Sequence, residues 1–158
     1  MMKNILIIGY GNTLRGDDGA GQLVAREIAK KNHQNVKCLA VHQLTPELAE
    51  DISQASQVIF VDAVITNESK SQKITVKPIK KPIFAQISTG HVGYPRSLLS
   101  LTQALYSRIP PACSILIPAV NFEFGEELSL LTQTGIQEAI AAIEKLILDT
   151  KVTVTTNI

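Results

Sequence analysis

The sequence predicts an α/β fold, a three-layer α/β/α sandwich on a mostly parallel, twisted sheet. Two short runs, Ile5-Leu6-Ile7-Ile8 and Val58-Ile59-Phe60-Val61, are apolar at every position, as strands buried on both faces are. Between and after them lie segments whose apolar residues recur at helical spacing. Strands that alternate with helices form parallel sheets covered on both sides. A length of 158 residues fits one domain, which buries about 70% of its unfolded surface without disulfides or structural metals. A single domain over 1–150 with a tail at 151–158 is expected.

The first strand, 5–8, is closed by Gly9. A helix is expected over about 18–32, with Ala20, Val24 and Ile28 on one side. Residues 36–41 read as the second strand. Thr45-Pro46-Glu47 opens a helix, with a hydroxyl cap, Pro in the first position and an acid in the first turn. The third strand, 58–61, stops at Asp62. A more polar strand over 73–79 suits a sheet edge, where its lysines discourage pairing with another sheet. Pro95 starts a helix whose Leu98, Leu101 and Leu105 share a face. A further strand, 114–117, is ended by Pro118. The last helix, about 129–148, carries Ile136, Ile140, Ile143 and Ile147, and the tail beyond it is a short strand or loose.

Composition narrows the function. The formal net charge is +1 with acids and bases interspersed, which argues against the dense phosphate neutralisation of nucleic-acid binding. Cys38 and Cys113 lie in strand-like runs and read as small buried hydrophobes rather than as a bridge or a nucleophile. The apolar run after Met1 is too short for a signal peptide, and no stretch approaches the roughly 20 apolar residues of a membrane span. A reduced, cytoplasmic protein with no membrane partner is the expectation.

In parallel α/β sheets, ligands gather outside the carboxyl ends of the strands. Asp17 and Asp18 follow the first strand, Asp62 ends the third, and His91 sits in the Ser88-Thr89-Gly90-His91 loop. Taken singly, one of Asp17 and Asp18 reads as a helix cap worth about 1 kcal/mol, and His91 as a solvated loop residue. Asp62 is harder to explain that way, because its neighbours on both sides are apolar and an isolated buried carboxylate is costly. Brought into one cleft, two carboxylates repel unless a cation lies between them. Two oxygen ligands and one imidazole leave a coordination position open, as recognition and catalytic sites do. Ligand type alone does not choose among zinc, nickel and manganese.

The segment from Gly9 to Gly21 begins like a dinucleotide fingerprint, but the third glycine of that pattern falls at Leu14. His42-Gln43 stand where a ribose-binding acid would close the second strand, so nucleotide binding is set aside. Gly19 and Gly21 near a helix start each cost about 1 kcal/mol against Ala, which suggests close approach of another chain.

Gly9, Gly11, Asn12, Leu14, Asp17, Asp18, Gly19 and Gly21, directly after an apolar strand, resemble the opening of the nickel–iron hydrogenase maturation endopeptidases. Ile59-Phe60-Val61-Asp62-Ala63 is similar to the family's second motif, Ser88-Thr89-Gly90-His91 to its third, and 125–129 more weakly to a fourth. The resemblance implies removal of a C-terminal extension from the hydrogenase large-subunit precursor after nickel insertion. It also implies a metal-contacting triad of Asp18, Asp62 and His91 that senses nickel in the precursor, with zinc or another divalent ion as an alternative. Two departures stand out: Gly90 separates Thr89 from His91, and His42-Gln43 replace a Gly-Thr pair, which makes His42 a supplementary candidate. Metal-assisted attack by water is the expected chemistry, with Asp17 or Asp18 as general base. The alternatives are a receiver-like phospho-acceptor domain, with Ser88 or Thr89 as its hydroxyl, and a non-catalytic nickel-sensing protein of the same fold.

Overall fold

The computed structural model describes residues 3–67, 72–81 and 94–156. Strand β1 is Ile5–Tyr10, followed by a 3₁₀ turn at Gly16–Gly19 and helix α1 at Ala20–Lys30. Strand β2 (Val36–Val41), helix α2 (Leu48–Gln54) and strand β3 (Gln57–Ile65) come next. Strand β4 (Thr75–Pro78), helix α3 (Pro95–Tyr106), strand β5 (Ala112–Ala119) and helix α4 (Leu130–Thr156) complete the order. The sheet runs β2-β1-β3-β5-β4. Its first four strands are parallel, and β4 pairs antiparallel with β5 at the edge.

Alternation along the strands explains the two cores. Ile5, Ile7, Ile59, Val61, Ile115 and Ile117 face α1 and α4, while Leu6, Ile8, Val58 and Phe60 face α2 and α3. Val24 and Ile28 of α1, and Ile136, Ile140, Ile143 and Ile147 of α4, fill the first core at the expected spacing. Each fully buried Ile of these strands contributes about 1.5–3 kcal/mol. That burial outweighs the weak helix propensity of β-branched residues in α4. The three-layer sandwich is therefore formed as expected.

Several elements differ from the sequence reading, each for a local reason. Strand β3 runs on to Ile65, because β5 continues beside it and pairs Asp62 with Leu116 and Ile65 with Ala119. Asp62 thus lies inside a strand rather than ending one. Pro118 does not stop β5. The pairing with β4 ends at Leu116, so the ring lies beyond the reach of that neighbour, where a missing N–H costs little. Helix α2 starts at Leu48 with Glu47 as its cap residue and no side-chain cap bond. Thr45 instead accepts at its carbonyl from the Leu48 N–H, 3.1 Å away. In α3 Leu98, Leu99, Ser100 and Thr102 are buried and Leu101 packs partly against the core, whereas Leu105, expected on the same face, is 61% exposed. Thr102 is tolerated there because its hydroxyl donates to the Leu98 carbonyl at 2.8 Å. The tail is neither strand nor loose as far as Thr156, since α4 carries it on.

Chain order reverses at β1. The chain leaves it for β2 on one side and returns to β3 on the other, which creates a crevice at the carboxyl ends of β1 and β3.

Candidate functional site

Two glycine positions shape the mouth of that crevice. Gly11 takes φ +138°, and a side chain there would strike the Asp18 backbone. Its N–H donates to the Val41 and His42 carbonyls, both 3.2 Å away, and its own carbonyl accepts from Gln22 Nε2 at 2.7 Å. A Cβ on Gly21 would sit 2.7 Å from the Tyr10 carbonyl oxygen and closer still to that of Val61. The close approach expected at Gly21 is therefore made by the protein's own strands, not by another chain.

The acids of the loop after β1 part company. Asp17 is fully buried. Its Oδ2 accepts from the Val120 and Asn121 N–H groups, each at 2.9 Å, and from the Ser129 hydroxyl at 2.8 Å; its Oδ1 accepts from the Ser129 N–H at 2.8 Å. Burial alone would raise its pKa, but these bonds outweigh burial and hold the carboxyl below the usual range. A carboxylate so occupied and so acidic is a poor base. Asp17, expected as one of two candidate general bases, instead ties the loop after β1 to the loop after β5. The same two loops join through Gly125 N–H to the Leu14 carbonyl and Gly16 N–H to the Gly125 carbonyl, both 2.7 Å.

Asp18 is half-buried, and its Oδ2 accepts from the Asn12 N–H at 2.9 Å. Asp62 lies on β3 across from the end of β1, on the face it shares with Phe60 by alternation. Its Oδ1 accepts from the Ala63 N–H at 2.8 Å, and the Tyr10 hydroxyl donates to the same carboxyl. Burial pushes the Asp62 pKa up to about 6. The Ala63 and Tyr10 bonds counter part of that rise, and the negative charge of Asp18 adds to it. Tyr10 is raised as well, by burial and by the same carboxylate. Asp18 and Asp62, far apart in sequence, are thus close enough to sense each other's charge.

His91 lies outside the described residues, as do Ser88, Thr89 and Gly90. Among the described residues no set of three His, Cys, Asp or Glu side chains is grouped as a metal would need. His42 is exposed at the carboxyl end of β2, one residue beyond Val41. Cys38 and Cys113 are unbridged and partly buried. Burial pushes the Cys38 thiol up to about 11 and raises Cys113 too, which disfavours a thiolate nucleophile at either. Among the described residues no helix is long and apolar enough to cross a membrane. A receiver-like site needs both acids after β1 free for a cation, whereas Asp17 is consumed by the loop staple and the edge strand β4 is antiparallel.

Tyr10 was passed over by sequence reasoning, and Asn12 and Ser129 stood in its motifs without a role. Tyr10 occupies the variable place between two glycines, where spacing gives no hint of its partner. Ser129 carries a visible signal, a hydroxyl at the start of the last helix: its Oγ accepts from the Thr132 N–H at 3.2 Å.

Fold and site together define a doubly wound α/β protein with a carboxylate pair at its switch point. No protein-family model and no curated protein sequence matches the chain. Among solved structures, it is similar to the NiFe hydrogenase maturation protease HybD from Thermococcus kodakarensis. Identity is 25%, over 91% of this chain and 99% of that one, with a TM-score of 0.67. The maturation protease HycI from the same organism is 22% identical over 92% of each chain, with a TM-score of 0.69. The maturating endopeptidase HybD from E. coli is 17% identical over 93% of each chain, with a TM-score of 0.70. The latter two share the fold. With the glycine and aspartate loop and the match over nearly both whole chains, this chain is similar in fold to the hydrogenase maturation proteases.

Proposed function

We propose that this protein is an endopeptidase that removes the C-terminal extension of a nickel–iron hydrogenase large subunit after nickel insertion. In this reading Asp18, Asp62 and His91 are the groups that recognise the metal. The observation that carries it is the Asp62 carboxyl, partly buried on β3 beside the end of β1 and near enough to Asp18 to feel its charge. The donor set fits a divalent cation. Each carboxylate gives one oxygen to a backbone N–H, Asn12 or Ala63, and keeps acceptor capacity for a further partner. A cation held by these two carboxylates would relieve their repulsion and desolvation together.

Nickel enters this reading as part of the substrate, and zinc or another divalent ion is an alternative occupant. A metal held by Asp18, Asp62 and His91 would supply Lewis acidity at the scissile carbonyl or the attacking water. Asp18 then takes the role of proton acceptor for that water, since Asp17 has no such capacity left. The Tyr10 hydroxyl and the Ala63 N–H hold Asp62 in one orientation.

The test is incubation with nickel-loaded and nickel-free large-subunit precursor, followed by mass measurement. Loss of the extension from the loaded precursor alone is the expected result, and cleavage of neither or of both would overturn the reading. Asp62→Ala and His91→Ala are expected to abolish processing with the circular dichroism spectrum unchanged. Full cleavage by either variant removes that residue from the site.

A further inference from the structure

The two loops joined by Asp17 carry an unusual surface. Leu14 is 49% exposed, Val120 56%, Phe124 86% and Leu130 80%. All four belong to the staple or stand beside it. Leu14 accepts at its carbonyl from the Gly125 N–H, Phe124 precedes that glycine, Val120 donates to Asp17, and Leu130 follows Ser129, which also donates to it. A phenylalanine held almost wholly in water on a rigid turn is a costly exposure unless a partner covers it. The backbone is fixed beforehand, so little ordering entropy is lost when one does.

Charge identifies the partner's character. The loop from Val120 to Ser129 carries Glu123, Glu126 and Glu127, all exposed, and no basic residue. Beside it a cleft of about 250 Å³ opens between Thr13, Leu23, Arg26, Glu126 and Leu128. Its Arg26 donates to the neutral Gln22 amide at 2.9 Å and keeps its charge; with the exposed Arg15, bridged to Gly125, it offsets part of the charge of the three glutamates and leaves the rim net negative. An aromatic anchor with an acidic rim fits an apolar surface bordered by lysines or arginines. The surface is continuous with the site, because Leu14 and Asp18 share one loop.

The geometry points to this Leu14–Phe124 face as the docking surface for a basic, apolar segment of the large-subunit precursor. This inference rests on the endopeptidase reading for the partner's identity, not for the surface itself. Phe124 is the anchor, the three glutamates steer and register the partner, and Asp17 holds both loops in the competent arrangement without touching substrate.

The experiment measures binding and cleavage separately in the otherwise native protein. Affinity is read with nickel-free precursor, which the proposed activity leaves uncleaved, and turnover with the nickel-loaded form. Phe124→Ala is expected to weaken binding by about tenfold or more, to raise KM in proportion and to leave kcat unchanged. Glu126→Lys with Glu127→Lys is expected to slow association and to flatten its dependence on salt. Both changes lie on exposed side chains, and an unchanged melting temperature confirms folding. Unaltered affinity in Phe124→Ala overturns the proposal, as does failure of the precursor to bind at all. A concentration-dependent dimer lost in Phe124→Ala also overturns it, since a second copy would then be the occupant. Binding through Phe124 without cleavage sustains the surface while defeating the endopeptidase reading.

Discussion

At the scale of single residues, three aspartates illustrate how surroundings divide one chemistry into two roles. Asp17 accepts four hydrogen bonds in a fully buried setting. Asp17→Ala would leave the Val120, Asn121 and Ser129 N–H groups unpaired, at a cost of about 3–5 kcal/mol in urea unfolding. Its pKa is lowered, so its stabilisation is present at neutral pH and is lost only as pH falls below the usual carboxylate range. Asp62 behaves in the opposite sense. The folded protein keeps that proton up to about pH 6, while the unfolded chain releases it near 4, so stability drops as pH rises between the two. Asp62→Asn keeps the shape and carries no charge. It should therefore be more stable than the parent at pH 7 by on the order of 2 kcal/mol, a margin that closes toward pH 4. A less stable Asn variant at pH 7 would show that the carboxylate is not held against a desolvation cost. Asp18 accepts from the Asn12 N–H at one oxygen, and its charge bears on Asp62.

Among elements, the contact of α1 with β1 and β3 decides where the acids lie. Gly21 lets the first turn of α1 rest on the Tyr10 and Val61 backbones, which carries the 3₁₀ turn and Asp18 over the crevice. Gly21→Ala meets backbone on two strands, which cannot swing aside as a flexible side chain would. A loss of about 2–3 kcal/mol in thermal or urea unfolding is expected, with slower processing of precursor; a neutral effect would mean that α1 can lift from the sheet freely. This contact also shows what the sequence makes legible. Local patterning placed each strand and α-helix of the described residues, though not the ends of all of them, because continuous apolar runs and 3.6-residue periodicity are written into neighbouring residues. It also singled out Asp62, since an acid beside Val61 and Ala63 has few structural excuses, whereas Asp18 entered the metal-contacting set only through the family resemblance. It misjudged strand ends at Asp62 and Pro118, because those depend on how far a neighbouring strand extends. It left Asp17 and Asp18 undivided, because the partners of Asp17 lie more than a hundred residues away. His91 has its neighbourhood outside the described residues, and its role stands on sequence alone.

For the whole molecule, the order of the sheet sets a gradient of stability that the site exploits. Strands β1 and β3 are central, with neighbours on both sides and a core on each face. β4 is four residues long, antiparallel and paired on one side only, with Val76 47% exposed. The ion pairs of the described residues, such as Lys37 with Asp51 at 2.6 Å and Lys30 with Glu27 at 2.8 Å, are largely exposed and add little. Opening of the central strands must break both cores at once, so it coincides with global unfolding, whereas opening of the edge disturbs one pairing. Native-state hydrogen exchange should therefore find the amides of Ile7, Ile8, Ile59 and Phe60 limited by global unfolding. The amides of β4 should exchange orders of magnitude faster. Asp62 lies within β3 near the end of β1, which gives it a rigid platform, and Asp18 lies in the turn that follows β1, on the open side of the crevice. If β4 were protected as strongly as β3, the edge would belong to the same cooperative unit and the gradient would not exist. Site rigidity would then need another source than the central position of β1 and β3.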